Sequence, residues 1–275
     1  MKRRVPNILR GIFAIALVLL IAFPFLWLLL GSFKTMRELF AVPVVFWPEE
    51  WKLDNYAEVF RAEPFLTYIT NSLGIATIAT VVVVFASSLA SYTMARVNIK
   101  GKKLILMLVL TVSLLPPITL LNPIYQMLAN LNALNTWIGL ALVMSAVELP
   151  TAIWLLTSFF QSVPMEIEES AMIDGASMLR SFTSIVMPLV APGVFTVSIM
   201  TFITVWNNYL FASVFNQRKS SRTVTVGLTL IETEAYRPWH VVSAAAIISS
   251  VPLIIIVLLL QKRIISGMVE GGVKE

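Results

Sequence analysis

The chain contains no cysteine, so neither a disulfide framework nor thiol chemistry is open to it. Its only histidine is His240, which excludes a histidine-built metal site or a serine-histidine relay. Charge is scarce as well. Asp, Glu, Lys and Arg make up 13% of the 275 residues, against roughly 25% in a soluble domain. No Gly-x-x-x-x-Gly-Lys-Ser/Thr run is present, and the basic turn Gly101-Lys102-Lys103 lacks the upstream glycine. A phosphate cradle of the usual kind is therefore missing. Such a chain is not expected to bind ATP in the usual way.

What it has is apolar surface, 58% of its residues. The charges are segregated. Gly11–Phe33, Pro64–Ala95, Leu104–Val147, Leu149–Met165, Ser181–Gln217 and Trp239–Gln261 carry none. A spanning helix takes roughly 20 apolar residues, so Leu104–Val147 is too long for one, and the polar patch Asn130-Leu-Asn-Ala-Leu-Asn135 is where it divides. The expectation is an all-α membrane protein with six spans, near residues 12–31, 69–95, 104–128, 136–161, 189–213 and 241–262. Pro116-Pro117, Pro123 and Pro150 predict kinks in the third and fourth. In lipid only helices or closed barrels satisfy the backbone. The expected organisation is a first span and outer loop at 1–66, a core at 67–263 and a tail at 264–275.

Six spans place both termini on one side. The tight basic clusters Lys2–Arg10 and Arg96–Lys103 lie there, with Arg180, Lys262, Arg263 and Lys274. Near-membrane Lys and Arg mark the cytoplasmic face, so both termini and the loop 162–188 are assigned to it. Arg218, Lys219 and Arg222 pull the other way. The net charge of +5 reads as membrane topology rather than nucleic-acid binding. The run from Gly11 to Gly31 exceeds a signal-peptide core and shows no small-x-small site before Ser32, so an uncleaved first span is expected.

The loop 162–188 reads as two short helices about a hinge. Ser162 suits an N-cap and Pro164 a first turn. Glu166, Glu168 and Glu169 crowd the opening turns, where the helix dipole favours carboxylates. Asp174-Gly175 ends the helix, since glycine takes the left-handed closing conformation freely. A second helix from Met178 to Val186 is expected to stop at Pro188. Small residues at Ser170, Ala171, Gly175 and Ala176 allow close approach by another surface. Helix physics alone leaves a solvated acidic loop equally open.

The spacing of Glu169-Ser170-Ala171, Gly175, Ile185 and Met187-Pro188 resembles the EAA loop of binding-protein-dependent ABC importers: Glu-Ala-Ala, three residues, Gly, nine, Ile, one, Leu-Pro. Ser170 and Met187 are mild departures. The resemblance covers nearly the whole chain and narrows to carbohydrate permeases similar to the maltose-transporter inner subunits. It takes in Asn71-Ser72, Trp206 to Tyr209, and the tail Gln261–Gly267 and Gly271–Lys274, where Gly272 and Glu275 depart from the usual Gly-Ala-Val-Lys-Gly. It implies a type I importer transmembrane domain in a bacterial inner membrane. It also implies a second permease subunit, two ATP-binding subunits that hold ATP and Mg, and an external solute-binding protein. Glu169, Ala171, Asp174 and Gly175, with Ile185 and Pro188, map onto the element that docks the ATPase.

Glu148 is the lone charge inside a predicted span, and a carboxylate there costs about 2.5–3.5 kcal/mol on insertion scales. It is expected to face the bundle interior. A structural carboxylate, a sugar-hydroxyl acceptor and a proton relay all remain open. Asn122, Gln126, Asn207, Asn208 and Tyr209, with Trp206 and Trp154, suit a polyol path, and equally suit interhelical hydrogen bonds. The outer loop 32–65 carries Val45-Phe-Trp-Pro48, read as extended, and Asp54–Phe60, read as a surface helix or a contact for a substrate-delivering protein. The 214–240 loop is a second candidate contact. Other readings are a permease for a non-sugar solute, a stand-alone secondary transporter (against which stand one intramembrane carboxylate and no visible inverted repeat), and a membrane enzyme, which lacks clustered catalytic groups.

Overall fold

The computed structural model describes residues 7–231 and 238–272, with side chains from 11 onward to 259. Lys2 to Arg4, Arg237, Lys274, Glu275 and part of the 214–240 loop lie outside the described residues, as do the side chains of Arg10, Lys262 and Arg263. Every regular element among the described residues is helical. Five helices are long and apolar enough to cross a membrane, or six if one bent pair counts as a single span.

The elements run α1 (Asn7–Gly31), α2 (Met36–Leu39), α3 (Asp54–Ala62), α4 (Phe65–Arg96), α5 (Lys102–Ser113), a 3-10 turn (Pro117–Leu120), α6 (Leu121–Asn130) and α7 (Trp137–Ser162). There follow α8 (Met165–Ile173), α9 (Met178–Ser181), a π segment (Phe182–Val186), α10 (Met187–Trp206), α11 (Leu210–Phe215), α12 (Val224–Leu230) and α13 (Trp239–Gly272). The Asn130–Asn135 patch does divide the long apolar run. Asn132 and Asn135 take φ of 53° and 59°, a left-handed conformation that asparagine tolerates.

The third predicted span, near 104–128, is broken where Pro116-Pro117 predicts a kink, and more sharply than a kink: two helical pieces are bent by 85°. Pro116 sits at φ −58°, ψ 121°, because the ring of Pro117 drives the preceding residue out of the helical region. Two adjacent prolines also remove consecutive N–H donors. The helix α7, by contrast, continues through Pro150 unbroken.

Two compact units emerge. One comprises Met1–Phe65 and Gly227–Pro252, the other Leu66–Val226 and Leu253–Glu275. In the second, α4, α7 and α10 share a buried core of Val83, Tyr92, Leu156, Phe160, Val190 and Val197. In the first, α3 exists as the amphipathic pattern predicted, with Asn55 and Val59 turned inward. Asn55 Nδ2 donates to the Ser32 and Lys34 carbonyls, both at 2.9 Å. Lys34 is fully buried; its Nζ donates to the Val45 carbonyl at 2.7 Å and stands 4.5 Å over the Trp27 ring.

Candidate functional site

The α7–α10 connection is built from three local decisions. Pro164, at φ −57° and ψ 139°, caps α8. The hydroxyl of Ser162, expected there, instead donates to the Phe159 carbonyl within the last turn of α7 at 2.8 Å. Gly175, at φ +88°, closes α8 as the Asp174-Gly175 pair predicts. Gly175 N–H donates to Met172 O at 3.1 Å and Ala176 N–H to Ala171 O at 2.9 Å, the paired closure a left-handed residue permits.

Third, Ser177 caps α9, its hydroxyl accepting from Arg180 N–H at 3.3 Å. The second helix then fails to stop at Pro188. Residues 178–206 form one continuous span-length helix, with the π segment just before α10. Pro188 falls in the first turn of α10, where a missing N–H is harmless. The widened turn ahead of it, closed by Met187 N–H to Phe182 O, lets the helix pass the ring.

Glu169, Asp174 and Gly175 are exposed, Ala171 and Ile185 are half-buried, and Pro188 is exposed. Beside them Met165, Met172, Ile173, Met178 and Leu179 also lie open. The loop thus presents a mixed charged and apolar face. Its underside is held by a residue that helix-dipole reasoning undervalued. Glu168 is buried, and its Oε2 accepts from Arg96 Nε at 2.6 Å while Oε1 accepts from the Tyr92 hydroxyl. The Tyr92 ring is packed by Phe160 and Phe182, with centroids at 5.9 and 4.8 Å. The only sequence signal was Tyr92 and Arg96 one helical turn apart at the end of a span.

The predicted path residues lie on α6, on α7 and at the α10–α11 connection. Asn122 is exposed on α6, its Oδ1 accepting from Gln126 at 3.4 Å. Glu148 is half-buried in α7 and has no hydrogen-bond partner among the described residues. Trp206 is buried and stacked on Phe202 at 6.1 Å. Asn208 accepts from Phe211 N–H at 3.0 Å, so its side chain caps α11. Asn207 and Tyr209 are exposed. No hydrogen bond among the described residues joins these three sites. A cavity of about 610 Å³, lined by Val112, Leu115, Leu120, Met127, Leu142 and Pro150 among others, lies between the bent pair and α7. Neither Asn122 nor Glu148 lines it.

Asn71-Ser72 proves to be a latch. Asn71 Nδ2 donates to the carbonyls of Ser220 and Arg222 at 3.0 and 2.8 Å, and Oδ1 accepts from Trp137 Nε1 at 2.8 Å. Ser72 Oγ accepts from Val224 N–H at 2.8 Å. The indole of Trp137 reaches that amide only because position 74 is glycine; a Cβ there would overlap the ring.

Residues 82–270 match the family described as binding-protein-dependent transport system inner membrane component. The chain is 39% identical over 252 residues to the sulfoquinovosyl glycerol transport system permease protein of Agrobacterium fabrum, covering 92% of this chain and 88% of that one. It is 37% identical over 274 residues to the trehalose/maltose transport system permease protein of Thermococcus litoralis, covering 98% and 97%. A chain from the crystal structure of a bacterial ABC transporter involved in the import of the acidic polysaccharide alginate superposes with a TM-score of 0.77. It is 20% identical and covers 93% of this chain and 95% of that one; the likeness is one of fold.

Proposed function

The chain belongs to the family of binding-protein-dependent transport system inner membrane components, and from that premise we propose that it is a permease subunit of an ATP-driven importer of sugars or oligosaccharides. It forms half of a translocation path with a second permease. Two ATP-binding subunits, which hold ATP and Mg²⁺, drive it, and an extracytoplasmic solute-binding protein delivers the cargo. Both termini and the α7–α10 connection face the cytoplasm of a bacterial cell.

The observation that carries this reading is the form of α8. It is a short helix between two span-length helices, gripped from beneath by a buried ion pair, with Glu169, Asp174 and Gly175 left open on its other side. A helix so placed receives an external push and passes it to its neighbours. The ATPase docks on Glu169, Ala171, Asp174 and Gly175, and Ile185 and Pro188 lead the motion into α10. Sugar as cargo is supported by relatives named for sulfoquinovosyl glycerol and trehalose/maltose. Asn122, Glu148, Trp206, Asn207, Asn208 and Tyr209 are the proposed path residues, of which Asn122, Asn207 and Tyr209 are exposed.

In the assembled transporter in liposomes, Glu169→Lys and Gly175→Pro are expected to leave membrane insertion intact and to abolish uptake while hydrolysis continues uncoupled. Full uptake by both variants removes the reading.

A further inference from the structure

We propose that Arg96, assisted by Tyr92, is a positioning residue that clamps α8 to the C-terminal end of α4, so that displacement of α8 is delivered to α4 directly as well as to α10 through the chain. The clamp itself stands on geometry; its part in transport rests on the reading that the ATPase acts on α8.

Arg96 and Tyr92 stand four residues apart, hence one above the other on α4, and each takes one oxygen of the Glu168 carboxylate. The Arg96 and Glu168 side chains are 8% and 7% exposed, where the attraction is screened much less than at the surface. These are the only side-chain hydrogen bonds from α8 to another helix among the described residues; the hydroxyl of Ser170 donates back to Glu166 O within α8. The Tyr92 ring is itself wedged between Phe160 of α7 and Phe182 of the π segment. Three elements therefore fix the groups that hold Glu168. Without the clamp, α8 is tethered by Val163-Pro164 at one end and Asp174–Ser177 at the other.

A buried ion pair is weak evidence for net stability, because desolvation opposes the attraction. Here the guanidinium is not even fully satisfied, since Arg96 Nη2 has no partner among the described residues. What the pair supplies is a defined position for α8. A hydrophobic contact permits sliding, whereas a bidentate hold on one carboxylate from two directed donors does not.

The absence of cysteine from this chain lets two nitroxides be placed on it specifically before assembly with its partners, on Ile173→Cys in α8 and Val97→Cys just beyond α4, both exposed. The electron–electron distance is read in the assembled transporter, before and after adding ATP and Mg²⁺. With Arg96 intact, the distribution is expected to be narrow and to stay narrow with nucleotide. Arg96→Gln broadens it at rest, and nucleotide then shifts it, because α8 moves without α4. Arg96→Lys recovers part of the narrowing, having one point donor in place of a fork, and the exchange Arg96→Glu with Glu168→Arg recovers more. A distribution equally narrow in Arg96→Gln overturns the clamp, as does broadening that the exchange leaves untouched. Broadening at rest with no nucleotide response in either protein upholds the clamp and instead overturns the reading that the ATPase acts on α8.

Discussion

Glu38 after the first span and Glu168 on α8 are both buried glutamates, yet they are satisfied from different distances along the chain. Glu38 accepts from Thr35 N–H at 2.6 Å, Thr35 Oγ1 at 2.7 Å and Glu49 N–H at 2.7 Å, closing a capping box on its own short helix. Glu168 is held by residues 72 and 76 positions away. Local capping shapes one segment and leaves the rest of the molecule indifferent to it. The remote pairing makes the position of α8 a property of three helices. If α8 receives force, as proposed, the second arrangement is the one that passes it on.

The sharpest way to break this contrast is Arg96→Ala. It strands Glu168 in a buried site, and removing one partner of a buried pair costs about 3–5 kcal/mol. Thermal unfolding of the purified protein reads this as a lowered midpoint. Glu168→Ala is expected to cost a similar amount, and the double variant less than the sum, since the two groups share one interaction. Additive losses break the comparison. Next in size is Thr35→Ala, which removes the capping box at a cost of about 0.5–2 kcal/mol. Hydrogen exchange is expected to rise over residues 35–40 and to stay unchanged over 165–173.

The smallest effect is one of pH. Burial pushes the Glu38 carboxyl up, but the Thr35 N–H and hydroxyl and the N–H groups of Glu49 and Glu50 outweigh it and hold it below its ordinary value of 4.5. A depressed carboxylate contributes stability above its unfolded pKa and loses it as pH falls through the folded one. Tryptophan emission is therefore expected to change on acidification below pH 4.5, and Glu38→Gln to flatten that dependence.

How far the sequence was legible follows the range of each cause. The C-terminal end of α1, both ends of α7, the Asn130–Asn135 division and the hinge at Gly175 were readable, since apolar run length and left-handed turns are local. The break in the third span was readable from Pro116-Pro117, but its 85° size was not, because hydropathy counts composition and carries no angle. Pro188 was read as a stop because a widened turn ahead of it leaves no trace in periodicity. Glu168 was read as a dipole effect and Arg96 as a topology marker. Only the fold, by bringing the end of α4 under α8, turns two solitary charges into a pair.

The π segment carries a consequence for register. Each residue of a regular helix advances the facing direction by about 100°, and a π turn accommodates one residue more than an α turn. The face that α9 shows is therefore out of phase with the face of α10 by that single extra residue. Deleting one residue from Phe182–Val186 would restore an ordinary helix and rotate Leu179 and Arg180 around the axis. The orientation of α9 relative to α10 is thus written in chain length rather than in side-chain chemistry.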